Sequence, residues 1–144
     1  MTTEPLSVFG EQITVKLSGA ATGGQYAVME VVTQPKSGPP LHLHQREEES
    51  FHVLEGEFTF QVDGRRLSAG PGCSVYVPRG AAHAFRNVGT EPGRMLLMVK
   101  PSGLENSFAE LSGSTGGQRE PDMSVVIPIL RKHGMALLGL PLED

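Results

Sequence analysis

Two short stretches of this chain carry side chains that could bind one metal ion together. In the first, His42 and His44 stand two residues apart, and Glu49 follows five residues beyond the second histidine. Because the side chains of a β-strand alternate between its two faces, both imidazoles of a strand here point the same way. Neutral imidazole nitrogens and a carboxylate suit a divalent transition metal such as Fe, Mn, Ni, Co, Cu or Zn. The spacing therefore predicts one metal ion inside a small β-barrel.

The second stretch supplies a third histidine. On a later strand His83, Phe85 and Asn87 share one face, so an inward-facing His83 lies beside an aromatic ring. With the two earlier histidines and Glu49 it would form a four-ligand cage drawn from neighbouring strands. Such a cage leaves one or two positions open for water, substrate or O₂.

The elements that position these residues are short strands separated by glycine and proline turns. Alternating, β-branched or aromatic residues predict strands at 6–17, 26–33, 51–54, 58–62, 73–77, 83–88 and 94–100, the last of them buried on both faces. Asp63 and Gly64 add a strong hairpin signal. This pattern is typical of an all-β antiparallel sandwich or barrel.

The pattern becomes helical in the last third of the chain. Leu104, Phe108 and Leu111 recur at helical spacing and predict a short amphipathic helix that ends at Gly113. A loop rich in Gly, Ser and Thr is predicted over residues 112–119.

A second helix is predicted over residues 122–133, and Pro128 must either kink it or begin it. The residues after the last strand are too few for a second domain. We therefore expect a β-barrel over residues 1–103 and a helical extension over residues 104–144 that packs on it.

Composition narrows the functional classes. A chain of 144 residues is one domain by size, and a net charge of −4 with no Lys/Arg cluster argues against nucleic acid as a partner. The single cysteine, Cys73, cannot form an internal disulfide, which favours the cytoplasm. We expect no signal peptide, because residues 1–5 lack a basic head followed by an apolar run. No apolar stretch approaches the length of a membrane span.

The two stretches together resemble the two-part signature of the cupin family. The first part asks for His-x-His, then Glu, then Gly, and is matched by His42, His44, Glu49 and Gly56. The second part asks for Gly, Pro-x-Gly, His and Asn, and is matched by Gly72, Pro78, Gly80, His83 and Asn87. Two half-motifs in the right order are far more specific than a lone His-x-His pair.

The resemblance implies a double-stranded β-helix, the jelly-roll barrel of cupins, with metal motifs at residues 38–56 and 72–87. It implies that the metal ligands are His42, His44, Glu49 and His83. One departure concerns the opening glycine, which the family often places six residues before the first histidine, whereas Gly38 stands four before it. The alternative is a metal-free cupin whose polar interior binds a ligand directly.

In the family, such a cage supports O₂-dependent ring or C–C cleavage, or metal-assisted isomerisation and decarboxylation, and the fold alone does not decide among them. An interior rich in Phe, Val and Met favours an apolar or aromatic small-molecule substrate over a sugar phosphate. That combination most resembles the quercetin-dioxygenase type. In this interpretation the substrate's enolate binds the metal, and Glu49 is the catalytic residue that handles the proton.

Two other functions stay open. The first is a non-redox isomerase, lyase or hydrolase that uses the ion as a Lewis acid, and the second is a small-molecule binding protein without turnover. The resemblance to the cupin family, and the frequency of twofold dimers among soluble oligomers, also predict a homodimer.

Five large side chains are predicted either to line the substrate pocket or simply to fill the barrel: Tyr26, Phe51, Phe60, Phe85 and Met95. Three polar neighbours of the ligands are expected outside the site. Glu47 and Glu48 are expected in solvent, and His52 is expected to point away from the face of Glu49.

Overall fold

The computed structural model of this protein describes residues 4–144, which form eleven strands and three helices. The strands are β1 (Leu6–Val8), β2 (Glu11–Leu17), β3 (Ala27–Thr33), β4 (Pro40–His44), β5 (Glu48–Glu55), β6 (Phe58–Val62), β7 (Arg65–Ala69), β8 (Ser74–Val77), β9 (His83–Asn87), β10 (Gly93–Lys100) and β11 (Met135–Pro141). The helices are α1 (Gly19–Thr22), α2 (Leu104–Thr115) and α3 (Met123–Lys132).

Residues 1–3 lie outside the described part of the chain, and with them most of the segment from which the absence of a signal peptide is predicted. Within residues 4–144, no helix has the length and apolar character needed to cross a membrane.

The strands form two antiparallel sheets, one in the order β1-β2-β3-β10-β5-β8 and the other in the order β11-β4-β9-β6-β7. Side chains from both sheets join one hydrophobic core, in which Met29, Val53, Phe58, Phe60 and Met95 are almost completely buried. This arrangement is the predicted double-stranded β-helix, so the all-β jelly-roll fold is confirmed.

Period-two alternation decides which side chains enter the core. In β5, Glu49, Phe51 and Val53 are buried, whereas the residues between them are only partly buried. Strand β10 alternates in the same way, and its Met98 is 43% exposed. The prediction that this strand is buried on both faces is therefore wrong, because the outer face of its sheet is partly open to solvent.

The predicted strand at residues 6–17 is in fact a hairpin. Phe9 and Gly10 adopt positive φ angles of 51° and 81° and turn the chain, so that β1 pairs with β2 and Val8 lies opposite Glu11. Phe-Gly is not a recognised hairpin dipeptide, and both arms keep the same alternation, so the sequence contains no signal for this turn.

The first helix of the C-terminal extension is longer than predicted. Helix α2 continues through Gly113 to Thr115 and ends before Gly116, whose φ is 64°. Gly113 lies inside the helix, where glycine is tolerated at a modest cost in stability.

The second helix leads into a strand that the sequence did not predict. Asp122 caps the start of helix α3: its carboxylate accepts a hydrogen bond of 2.9 Å from the Ser124 backbone N–H. Pro128 lies within the helix. Strand β11 then pairs antiparallel with β4, placing Met135 opposite His44 and Leu137 opposite His42. The extension is therefore not purely helical, since its last strand flanks the strand that carries two of the predicted metal ligands.

The extension shares the core of the barrel. Leu104, Leu111, Val126 and Leu130 belong to the same hydrophobic cluster as the sheet residues. The Ser112 hydroxyl also accepts a hydrogen bond of 3.0 Å from the backbone N–H of Ser7. Residues 104–144 and the barrel are thus packed together on the side of β1.

Gly38 lets the chain enter the histidine strand close to β9. A Cβ atom at this position would collide with the backbone carbonyl of Phe85, so the contact requires a residue without a side chain. Nearby, Asn87 is fully buried and donates hydrogen bonds from Nδ2 to the carbonyls of Thr33 and Glu91, at 3.0 and 2.8 Å.

We predict that Gly38→Ala destabilises the protein by about 2 kcal/mol or more, because the added methyl must push two backbone segments apart. Gly113→Ala is the matched control: nothing lies within 4 Å of its added Cβ, and alanine favours the helix by about 0.5–1 kcal/mol. Urea denaturation of both variants measures the effect. Equal unfolding midpoints for the two variants would contradict the close approach at Gly38.

Candidate metal centre

Three histidines converge inside the barrel. His42 and His44 lie on β4, and His83 lies on the adjacent strand β9, directly opposite His42 in the strand register. One nitrogen from each ring can be chosen so that all three lie within 4.8 Å of one another. His44 and His83 are buried, whereas His42 is partly exposed.

Two of these imidazoles are oriented by backbone carbonyls. The Nδ1 atom of His42 lies 2.7 Å from the carbonyl oxygen of Pro40, and that of His83 lies 2.9 Å from the carbonyl oxygen of Ala81. Because a carbonyl oxygen only accepts, each Nδ1 carries the proton and each Nε2 keeps its lone pair. This arrangement is typical of metal-binding histidines, in which the second ring nitrogen is held by a backbone or carboxylate acceptor.

Glu49 faces these rings from the other sheet. Its Oε1 atom lies 2.8 Å from Nε2 of His83 and 3.3 Å from Nε2 of His44. Neither contact has hydrogen-bond geometry, so Glu49 Oε1, His83 Nε2 and both ring nitrogens of His44 are buried without a hydrogen-bond partner among residues 4–144. Unpaired buried polar atoms are costly, and a bound cation would satisfy Glu49 Oε1, His83 Nε2 and one ring nitrogen of His44.

The charges of the four groups suit metal binding. Burial raises the pKa of Glu49, but the neighbouring histidines, chiefly His44 and His83, outweigh it and hold the pKa at about 2. Burial lowers the pKa of His42 and of His44. Burial opposes the charging of His83 as well, but Glu49 raises its pKa. The set is thus an ionised carboxylate, two imidazoles whose pKa is lowered, and a third imidazole, His83, whose lone pair can bind either a proton or a cation. These donors fit a divalent metal ion.

The site opens on an apolar cavity of about 60 Å³, several times the space that one water needs. His42 and Glu49 line it, together with Phe51 and Phe85 of the barrel. The C-terminal extension contributes Phe108, Leu111, Leu130 and Leu137 to its wall. The extension thus covers the metal-facing cavity.

The structure separates the five predicted pocket residues into two groups. Phe51 and Phe85 line the cavity, whereas Phe60, Tyr26 and Met95 do not. Phe60 packs behind the wall, with its ring centroid 5.2 Å from that of Phe51, and Met95 is completely buried in the core. Tyr26 precedes β3, where its carbonyl accepts a hydrogen bond from the Thr22 hydroxyl at 2.6 Å. Parity identifies inward-facing residues, but only three-dimensional packing decides which of them reach a cavity.

The polar neighbours of the ligands also differ from one another. His52 points away from Glu49 as expected, with its Nδ1 2.8 Å from the Ser74 hydroxyl. Glu48 accepts a hydrogen bond from the Tyr76 hydroxyl on the outer face. Glu47 was expected in solvent but is only 6% exposed, because the turn before β5 tucks it into a crevice near the start of α2.

One carboxyl that was not expected at the site also reaches the metal-facing cavity. Glu11, at the start of β2, lines it and is only 4% exposed. Burial raises its pKa to about 7, although Thr33 and Arg119 lower it in part. The sequence does not reveal the position of Glu11, because the turn that places this residue at the start of β2 has no recognisable sequence pattern.

Comparison with known proteins supports the fold and the family of the site. Residues 29–99 match the family described as "Cupin domain". The chain is 32% identical over 97 residues to "Probable oxidoreductase virH" of Hypocrea virens, an alignment that covers 64% of this chain and 44% of that protein. It is 30% identical over 102 residues to quercetin 2,3-dioxygenase of Bacillus subtilis, covering 69% of this chain and 29% of that enzyme. The chain therefore spans less than half the length of either relative.

Among solved structures, the chain resembles a protein of Thermotoga maritima described as a predicted oxalate decarboxylase. The TM-score is 0.63 with 23% sequence identity, and the match covers 70% of this chain and 93% of that one. At this identity the similarity concerns the fold alone.

We predict that the double variant His44→Ala/His83→Ala loses its bound transition metal, because only His42 and Glu49 then remain of the donor set. Elemental analysis after expression in metal-supplemented medium measures the metal content per chain. His52→Ala is the control, since that ring faces outward, and it should keep the wild-type content. Stoichiometric metal in the double variant would show that the ion lies elsewhere.

A second prediction concerns Glu11 and pH. Its pKa is about 7 in the folded protein and 4.5 for the free side chain, so the folded state binds the proton more tightly. Glu11 therefore costs stability progressively from pH 4.5 to pH 7, reaching a plateau on the order of 3 kcal/mol above that range. The groups that oppose the effect of burial on this pKa are the Thr33 side chain and the charge of Arg119.

Glu11→Gln removes this titration. The stability advantage of the variant over wild type should grow between pH 4.5 and pH 7 and then level off, which chemical denaturation across this range measures. A difference that is independent of pH would mean that Glu11 is ionised in the folded protein as readily as in water.

Proposed function

Because this chain belongs to the cupin family, we propose that it is a metal-dependent dioxygenase that acts on an apolar or aromatic enolisable substrate. The observation that carries this proposal is the position of the donor cluster at the wall of an apolar cavity. His42 and Glu49 line that cavity beside Phe51 and Phe85, so a substrate oxygen could approach the donors while its apolar body stays out of water.

The residues that would hold the ion are His42, His44, Glu49 and His83. When bound, a divalent transition metal supplies Lewis acidity and, for the redox-active ions, electron transfer to O₂. The protein contributes orientation, since the carbonyls of Pro40 and Ala81 hold two of the rings with Nε2 free. It also contributes a low-polarity surrounding, because Phe51 and Phe85 leave few competing polar groups near the substrate.

Glu49 has two candidate roles, as a metal ligand and as a proton acceptor, and its contacts favour the first. In contact with His44 and His83 its pKa is about 2, so in that position it is ionised and a poor proton acceptor. Ligation is therefore its role in the resting site. It can take a proton from the substrate at Oε1 only after moving away from those histidines, because the same contacts suppress its basicity.

Two of the relatives favour an oxidoreductase among the chemistries that a cupin site supports. One is described as a probable oxidoreductase and another is quercetin 2,3-dioxygenase, although this chain spans only 29% of the latter. The dioxygenase, the non-redox enzyme and the non-catalytic binding protein differ in the metal they require and in their need for O₂. One experiment therefore separates these three functions.

Protein is loaded separately with Fe, Mn, Ni, Co, Cu or Zn and mixed with 1-phenylbutane-1,3-dione or a flavonol. We expect O₂ uptake with at least one of the first five ions and none with Zn, which has no redox chemistry. An oxygen electrode measures the uptake, and product analysis should show O₂-dependent cleavage. Conversion of the substrate without O₂, on Zn as well as on redox-active ions, would assign a Lewis-acid enzyme instead. Binding without turnover on every ion would assign a binding protein.

Glu49→Gln should lower the O₂-uptake rate by at least about 100-fold, because it removes both the charge and the proton acceptor of the site. Glu48→Gln is the matched control, since this neighbouring carboxylate lies on the outer face with Tyr76, and its rate should equal that of wild type. A Glu49→Gln rate within twofold of wild type would remove Glu49 from the reaction.

A further inference from the structure

Glu11 is a second carboxyl in the metal-facing cavity, and the proposed reaction does not use it. It is 4% exposed, and both of its oxygens lack a hydrogen-bond partner among residues 4–144. The Thr33 hydroxyl beside it is also buried and unpartnered. Thr33 and Arg119 offset the effect of burial on Glu11 only in part. A buried carboxyl whose oxygens lack well-formed hydrogen bonds is expensive, so Glu11 keeps the capacity to bind a further polar group in an otherwise apolar wall.

Glu11 is separate from the metal ligands. It lies on β2 and Glu49 lies on β5, with β3 and β10 between them in the same sheet. Three strand spacings place their backbones on the order of 15 Å apart along the curved sheet. In agreement, the charges that shift the pKa of Glu11 include no metal ligand, and those that shift the pKa of Glu49 do not include Glu11.

The wall between the two carboxylates is apolar. Ile13, Val31 and Leu97 line the cavity from the six-stranded sheet, and Phe108 and Leu111 line it from α2. A ligand that reaches from the histidines to Glu11 must therefore have an apolar body with one polar group at each end.

The chemistry of a carboxyl limits the second polar group. A carbonyl oxygen could pair only with a protonated Glu11, and an ammonium group only with an ionised one. A hydroxyl group both donates and accepts, so it pairs with either form, which matters because both forms are populated near neutral pH.

We propose that Glu11 is a specificity-determining residue that binds a hydroxyl group on the apolar body of the substrate, away from the metal-binding oxygen. This inference rests on the proposed function for the identity of the reacting end, but not for the contact at Glu11. The substrate class becomes an enolisable, largely apolar molecule that carries a distal hydroxyl.

Benzyl alcohol and toluene are suitable probes, because they share an aromatic body and differ by one hydroxyl. Isothermal titration of the metal-loaded protein gives a Kd for each, and the ratio Kd(toluene)/Kd(benzyl alcohol) reports the preference for the hydroxyl. We expect Glu11→Leu to lower this ratio by about tenfold, the loss of one buried hydrogen bond. Glu11→Gln, which keeps donor and acceptor atoms, should retain most of the wild-type ratio.

Two measurements verify that both variants are folded and loaded with metal. Their thermal unfolding temperatures should equal or exceed that of wild type, and their metal content should equal that of wild type. An equal ratio in wild type and Glu11→Leu overturns the proposal, and so does a wild-type cavity that admits neither probe. The probes need neither O₂ nor turnover. A failed dioxygenase assay with an intact Glu11 preference would refute the reaction alone, and the reverse result would refute the role of Glu11 alone.

Discussion

The architecture of this protein depends on one buried negative charge. Glu49 is 2% exposed and ionised, and an isolated carboxylate in such surroundings would cost several kcal/mol. Its compensation comes from histidines on the opposite sheet, so the two sheets must meet in one register for the charge to be tolerated. The strands that carry these groups are β4 and β9 in one sheet and β5 in the other. A one-residue slip of any of these strands would turn its histidine or glutamate to the outer face.

The C-terminal extension is part of the site as well as of the fold. Strand β11 pairs with the histidine strand β4, and α2 and α3 place apolar side chains over the cavity. These elements exclude water from one side of the donor cluster, which strengthens the electrostatic interactions within it. The extension therefore links the stability of the barrel edge to the environment of the histidine cluster.

Two buried carboxyl groups that line one cavity, those of Glu49 and Glu11, have very different pKa values because their neighbours differ. Glu49 lies against histidines that outweigh the cost of burial and keep it ionised. Glu11 has no comparable partner, so burial dominates and its pKa rises to about 7. The same side chain is thus ionised at one position and takes up a proton near neutral pH at the other, a separation that enzymes commonly use to divide roles between acids.

Much of this site could be predicted because its information is local. The spacing of His42, His44 and Glu49 and the two-part motif around His83 determine which side chains share a strand face, and alternation carries that information into the barrel. The family and the jelly-roll fold could be predicted from the same local patterns, and both predictions are confirmed. The homodimer, the cytoplasmic location and the absence of nucleic-acid partners stay predictions of the sequence.

Tertiary structure alone decided the rest. The turn at Phe9 and Gly10, the pairing of β11 with β4 and the burial of Glu11 and Glu47 all depend on contacts between segments far apart in the chain. The alternation of apolar and polar residues continues through the hairpin turn between β1 and β2, so it does not mark that turn. The apolar pattern of β11 does not indicate which strand it pairs with. The sequence by itself determined which atoms could hold a metal, because that depends on spacing along two strands. Only the folded chain decided what surrounds them, because the walls of the cavity come from both sheets and from the extension.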